Sequence, residues 1–301
     1  MCGIVGLFLK DKSLEPRLGA LLSDMLVTMT DRGPDSAGIA IYGAPKTGQA
    51  KLTVQSANPE NDFSGLDTAL ATAFGIEVEL DVKSTHAVLT LPEAVVARAR
   101  EWISANRPSI RVMSAGETIE IYKETGLPRD VVSRFGIRGM GGTHGIGHTR
   151  MATESAVTTL GAHPFSTGAD QCLVHNGSLS NHNNLRRELK REGMSFETEN
   201  DSEVAAAYLT AEMARGKDLG EALDGAIHDL DGFFTFVVGT KSGFGVLRDA
   251  IACKPAVMAE TAQYVAFGSE YRALVGLPGI ETARVWEPEP ATVYFWDHKA
   301  A

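Results

Sequence analysis

At 301 residues, with 44% hydrophobic residues, the chain can form one large domain or two modest ones with a substantial buried core. Its 28 Lys and Arg stand against 38 Asp and Glu, a diffuse formal charge of −10 without a basic tract, which argues against nucleic acid or an anionic membrane as partner. No apolar run approaches the ~18 residues of a membrane-spanning helix, no secretory leader is recognisable, and an odd set of three cysteines (Cys2, Cys172, Cys253) points to a reducing, cytoplasmic setting.

Gly3 to Leu9 reads as a short buried strand. Leu14, Leu18, Leu21, Leu22, Met25, Leu26 and Met29 then recur at helical spacing and predict one amphipathic helix. The turn formers Asp31-Arg32-Gly33-Pro34-Asp35 end it, and Ser36–Tyr42 returns as a strand. From Ala44 to Gly142 the character changes. A strand at Thr85–Leu91 precedes helical spacing at Val95, Ala99, Trp102 and Ile103. Alternation at Ile110/Val112 and Ile119/Ile121 around Ser114-Ala115-Gly116 predicts a hairpin. Residues 44–142 are therefore expected to form an inserted small α/β subdomain, strand–helix–hairpin in order, that docks a partner. Residues 2–43 and 143–301 are expected to form the main domain. Its later elements are strands at Gly145–Thr149 and Gln171–His175 and helices at Asn183–Arg191, Ser202–Arg215 and Leu219–Asp229. Five strands follow, at Phe233–Val238, Gly243–Arg248, Ala256–Glu260, Tyr264–Gly268 and Ala291–Trp296. Strands at both ends with helices between predict an α+β domain.

The chemistry starts at Met1-Cys2-Gly3. A small second residue permits removal of Met1, which would place a thiol and a free α-amine on one residue. Both titrate within reach of neutral pH, so the nucleophile carries its own base. Four further polar segments sit at strand-to-loop or loop-to-helix junctions: Arg32-Gly33-Pro34-Asp35, Gly147-His148-Thr149-Arg150, His175-Asn176-Gly177 and Asn200-Asp201-Ser202-Glu203. The histidines His144, His148, His163 and His175 lie near them. Gly145 and Gly147 disfavour the helix that would put His144 and His148 on one face, so ordering by hydrogen bonds at His163 and His175 is favoured over a metal site. The five glycines of Gly139–Gly147 lack a phosphate-loop ending and read as a hinge. Cys172 and Cys253 read as buried structural thiols.

Together these segments resemble the class II glutamine amidotransferase domain, an N-terminal nucleophile hydrolase, over about Cys2–Tyr42 and Gly145–Ser269. The resemblance implies a four-layer αββα sandwich. It also implies that Cys2 is the nucleophile and that the Asn176 amide and the Gly177 N–H form the oxyanion site. Arg150 would bind the substrate carboxylate, Asp201 would receive its α-ammonium, and Thr153 would belong to the same substrate loop. Arg32 and Gly33 would support the nucleophile. Met151 and Glu154-Ser155 depart from the family's usual loop, which puts side-chain contacts from that stretch in doubt. The segment His175–Asn183, the C-terminal Trp286-Glu287-Pro288 and the length resemble one branch, the stand-alone amidotransferase subunits of glutamate synthase-like systems, N-methylglutamate synthase among them. That branch implies L-glutamine as substrate. Two partners are implied with it: a flavin-binding synthase subunit, plus a glutamate synthase β-helix-type subunit. No cofactor is expected in this chain; flavin and any iron–sulfur cluster belong to the partners. The alternatives are another N-terminal nucleophile amidase and a non-catalytic glutamine-binding regulatory subunit.

Overall fold

The computed structural model describes residues 2–152 and 156–298. Two antiparallel sheets lie face to face. The first has seven strands, in the order Arg284–Trp286, Val257–Glu260, Tyr264–Gly268, Gly3–Leu9, His144–Arg150, Ser36–Tyr42 and Ile119–Thr125. The second has five, Val293–Asp297, Gly243–Arg248, Gly232–Gly239, Gln171–Leu179 and Phe165–Gly168.

The strands are apolar on both faces because both are covered. Along Gly3–Leu9, Ile4 and Phe8 point into the gap between the sheets, where they meet Val174, Val237, Phe244 and Val246. Val5, Leu7 and Leu9 point the other way, onto Leu18, Leu22, Met25 and Leu26 of the helix Leu18–Thr28. The second sheet repeats the plan: Leu173, Phe234, Phe236 and Leu247 face Val204, Leu209, Leu219 and Leu223 of the helices Asp201–Ala214 and Leu219–Asp229. Helix, sheet, sheet and helix form the four-layer αββα sandwich. Each fully buried Leu, Ile or Phe contributes about 1.5–3 kcal/mol to holding it together.

Three expectations need correction here. The first helix is broken: Lys12–Arg17 is a 3-10 turn containing Pro16, and the α-helix starts at Leu18. Proline lacks the N–H that a continuous helix would need. Gly145 and Gly147, expected to belong to a hinge, are close contacts within a strand. A Cβ on Gly145 would lie 2.8 Å from both Ala40 O and a Leu22 methyl, and one on Gly147 3.1 Å from Leu26, so the strand lies tight beneath the helix. The strands at Arg111–Gly116 and Ile119–Thr125 do not form a hairpin. The first pairs with Gln49–Gln55 and the second with Ser36–Tyr42 in the seven-stranded sheet. Asp170 makes the crossing. Its carboxylate accepts from the backbone N–H of Glu117, Thr118 and Ile119 at 2.8–3.0 Å. By sheet membership the inserted unit therefore ends at Gly116, short of the expected 142.

That unit has its own four-stranded sheet, Glu79–Lys83, His86–Pro92, Gln49–Gln55 and Arg111–Gly116 in order, and its own core. Leu52, Val54, Leu89 and Leu91 pack with Leu66 and Leu70 of the helix Leu66–Phe74 and Ala99 and Ile103 of Val96–Asn106.

Candidate active site

The two-residue period of the strands carries the site. Ile4 and Ile146 face the gap between the sheets, so Cys2 and His148, each two residues away, face the same gap at one end of the sandwich. Cys172 and Val174 face it from the opposite sheet, and Asn176 continues that row. Cys2, His148 and Asn176 thus converge from three strands. His175 has the other parity and points outward to the helix Asp201–Ala214.

A cavity of about 510 Å³ opens at this end, lined by Cys2, Arg150, His163, His175, Asn176, Gly177 and Asp201 among others. Seven of the ten residues singled out in the sequence are therefore brought together. Arg32 and Gly33 lie against the same end, and Thr153 falls outside the described residues.

Cys2 is held by its own backbone. Its carbonyl accepts from Arg32 Nε at 2.8 Å and from Asn176 Nδ2 at 3.1 Å. Arg32 is buried and its second arm is paired to Glu270 at 2.6 Å. Gly33 allows the turn to pass under the strand His144–Arg150, where a Cβ would lie 2.5 Å from Arg150 N. Burial raises the Cys2 thiol's pKa, but the hydrogen bond and charge of His148, with the backbone of Met151, outweigh it and bring the pKa down to about 7. A thiol so placed is substantially thiolate at neutral pH.

Asn176 is oriented by two neighbours. His148 Nε2 lies 3.2 Å from its Oδ1, and Ser269 Oγ lies 3.4 Å from its Nδ2. Gly177 follows at φ +149°, where a Cβ would sit 2.0 Å from Phe233 O, so only glycine fits. The strand does not stop at this Asn-Gly pair, as the sequence suggested; it runs on to Leu179.

The opposite wall is polar. Asp201 opens its helix but does not cap it. Asn200 is the cap, accepting from Ser202 N at 2.9 Å. Asp201 Oδ2 accepts from Leu179 N at 2.9 Å. The Ser202 hydroxyl sits between two imidazoles, 2.8 Å from His163 Nε2 and 2.9 Å from His175 Nδ1. Burial lowers the pKa of both rings, which keeps them neutral, although Asp201 partly opposes this at His175. Two neutral rings and a hydroxyl form a rigid partition that orders the wall without adding charge.

Asp35 secures the chain just after the strand His144–Arg150. Its carboxylate accepts from Ala152 N at 2.8 Å, and its N–H donates to Arg150 O at 3.1 Å.

Sequence reasoning missed the parts played by His148, Ser202, Ser269 and Asp35. His148 and Asn176 share an inward parity that could have been read from their strands; nothing in the sequence marks Ser269. His144 is not part of the site. It bonds Thr240 O at 2.8 Å and stacks on Tyr42, roughly 13 Å along the strand from His148. Cys172 is buried beside the Tyr42 hydroxyl, and burial pushes its thiol up to about 12; Cys253 is exposed, contrary to expectation.

An antiparallel αββα sandwich with a cysteine and polar clamp at one end is the fold of the N-terminal nucleophile amidotransferases. The chain superposes on glutamine phosphoribosylpyrophosphate amidotransferase from B. subtilis with a TM-score of 0.63 at 17% identity, over 99% of this chain and 48% of that one. A family model described as a glutamine amidotransferase domain matches residues 148–276. The glutamine amidotransferase-like protein GlxB of Rhizobium meliloti (strain 1021) is 74% identical over 301 residues, the whole of both chains. A Methanothermobacter thermautotrophicus protein with a provisional glutamine amidotransferase name is 33% identical over 314 residues, covering 99% of this chain and all of its own length. This chain belongs to the class II glutamine amidotransferases. Among the described residues, no helix is long and apolar enough to cross a membrane.

Proposed function

We propose that the chain is a cytoplasmic glutaminase subunit that works through Cys2 as the first residue of the mature protein. The observation carrying this reading is the single cavity that collects Cys2, Arg150, Asn176, Gly177 and Asp201 from four separated segments. The Arg150 guanidinium suits the α-carboxylate of glutamine, and Asp201 suits its α-ammonium. With both ends held, the side-chain carboxamide is directed toward Cys2. The thiol proton of Cys2 passes to the α-amine of the same residue, and the thiolate so formed attacks the carboxamide carbon. The carbonyl oxygen becomes an oxyanion within reach of Asn176 Nδ2 and the Gly177 N–H. Collapse breaks the C–N bond, the amine returns its proton to the leaving nitrogen, and ammonia departs. The γ-glutamyl thioester left on Cys2 is hydrolysed by water to glutamate and free thiol.

The ammonia is delivered to a synthase. Support comes from the resemblance to glutamate synthase-like and N-methylglutamate synthase systems. The partners of this reading are two further subunits, one a flavin-binding synthase and one of the β-helix type, with flavin and any iron–sulfur cluster on them.

Three measurements test it. Intact mass should show loss of Met1, and a retained methionine ends the mechanism. Ammonia release from glutamine should vanish in Cys2→Ala; equal rates would remove Cys2 as nucleophile. If turnover needs the synthase, adding the candidate partner subunits should raise it, and no response to them would reject that complex.

A further inference from the structure

We propose that Lys123 is a positioning residue for Arg150, acting through the segment Leu160–Pro164 that closes the substrate loop. The proposal rests on the reading of Arg150 as the carboxylate-binding cation.

Lys123 stands on the strand Ile119–Thr125 and is buried. Its ammonium donates to Ala162 O at 2.8 Å and to Leu160 O and Pro164 O at 3.2 Å. An ammonium has three N–H donors, so all three are committed to alternate carbonyls of one five-residue segment. Between the first two carbonyls lies Gly161. It approaches Arg150 so closely that a Cβ there would lie 3.1 Å from a guanidinium nitrogen. Lys123 therefore fixes the two carbonyls that flank Gly161, and with them the backbone that lies against the guanidinium. The next residue along the strand adds to this, since the Glu124 carboxylate accepts from the Thr159 hydroxyl. Asp35 ties the other foot of the loop at Ala152. The loop is anchored at both ends, and Lys123 and Glu124 form its far anchor.

The environment makes this anchor titratable. Burial brings Lys123 down to about 8, opposed by the charges of Glu203 and Glu197 and by Cys172. His163 and His86 also face it, and the Phe165 ring lies 4.6 Å away. Lys123 and Leu160 line a separate cleft of about 900 Å³ between the inserted unit and the main domain, which gives solvent a route to the amine. Below pH about 8 the ammonium holds all three carbonyls. Above it, a neutral amine offers only two donors and no charge, and the grip on Gly161 loosens. The unfolded lysine stays protonated up to its ordinary 10.5, so between these values the unfolded state binds more protons. Stability from this group therefore rises with pH while its hold on the loop weakens. A merely structural lysine would not separate the two.

The test uses the full chain carrying Cys2→Ala, which removes a thiol that titrates in the same window. The probe is glutaramate, the amide-carboxylate that lacks the α-amine of glutamine, with binding measured by calorimetry at pH 7.5 and 9.5. With Lys123 intact, Kd should rise about tenfold between the two pH values. Lys123→Met should bind about tenfold more weakly at pH 7.5, with little further change at 9.5. Lys123→Arg, which keeps the charge, should restore much of the affinity and flatten the pH response. If Lys123→Met does not fold, the intact-lysine and Lys123→Arg series carry the test. Tight, pH-independent binding with Lys123 intact, or by Lys123→Met, overturns the proposal. Arg150→Ala is the control: normal binding by that variant would show instead that the reading of Arg150 is wrong.

Discussion

His148 Nε2 lies 3.2 Å from Asn176 Oδ1, and that contact decides which way the amide faces. With Oδ1 turned to the imidazole, Nδ2 is turned to Cys2, 3.1 Å from its carbonyl oxygen. The same histidine lowers the Cys2 thiol. One side chain from the seven-stranded sheet thus sets both the nucleophile and the donor aimed beside it.

This coupling predicts a pH signature. In a Cys253→Ser background, which removes the exposed thiol, alkylation of Cys2 by iodoacetamide should rise with pH and reach half its maximum near 7. Cys172, pushed up to about 12, should stay unlabelled. His148→Leu should move the Cys2 midpoint upward, because it removes the interaction that opposes burial; an unchanged midpoint would count against it.

Asn176→Ala removes one oxyanion donor of the proposed mechanism, and kcat for ammonia release should fall on the order of 10²–10³-fold. KM should change little, since the amide does not hold either end of the amino acid. A large KM effect with intact kcat would place Asn176 in ground-state binding instead.

Gly177→Ala combines a forbidden φ with a Cβ driven into Phe233 O. Strain of this kind costs about 1–3 kcal/mol, so the melting temperature should drop together with activity. A variant as stable as wild type would mean that the strand does not hold the stated conformation.

Arg150→Lys keeps a positive charge but loses the planar fork. KM for glutamine should rise about tenfold to a hundredfold, in line with charge-assisted hydrogen bonds worth roughly 1.5–3 kcal/mol. Steady-state kinetics across a glutamine series would show it, and an unaltered KM would exclude a two-point carboxylate contact.

Much of the sandwich could be read from the chain because its strands are buried on both sides. Gly3–Leu9, Ser36–Tyr42, Gly243–Arg248 and Tyr264–Gly268 occur as expected. The strand Glu79–Lys83 was invisible: it lies at a sheet edge, and its polar residues carry no apolar signal. The false hairpin at 110–121 shows a different limit. Alternation reveals a strand but not its partner, and the partner was decided by Asp170, about fifty residues further on. In the site, polar motifs marked Arg150, Asn176 and Asp201. Lys123 shares the parity of Ile119 and Ile121, so the alternation put it in their inward row, but no polar motif marked it. Ser269 escaped for a similar reason: its hydroxyl meets Asn176 and Ile4 only after distant strands pair.

The placement of Gly3–Leu9 between Tyr264–Gly268 and His144–Arg150 has a consequence for biosynthesis. Cys2 precedes a strand that is flanked by partners about 140 and 260 positions further along the chain. The Ile4 N–H waits for Ser269, a separation of 265 residues. Such non-local pairing comes at the cost of closing very long loops and is slow to form. A nascent or truncated chain therefore exposes Cys2 without Asn176, Ser269 and the other side chains that surround it in the folded protein. The surroundings of Cys2 are complete only once the chain has been made through Ser269.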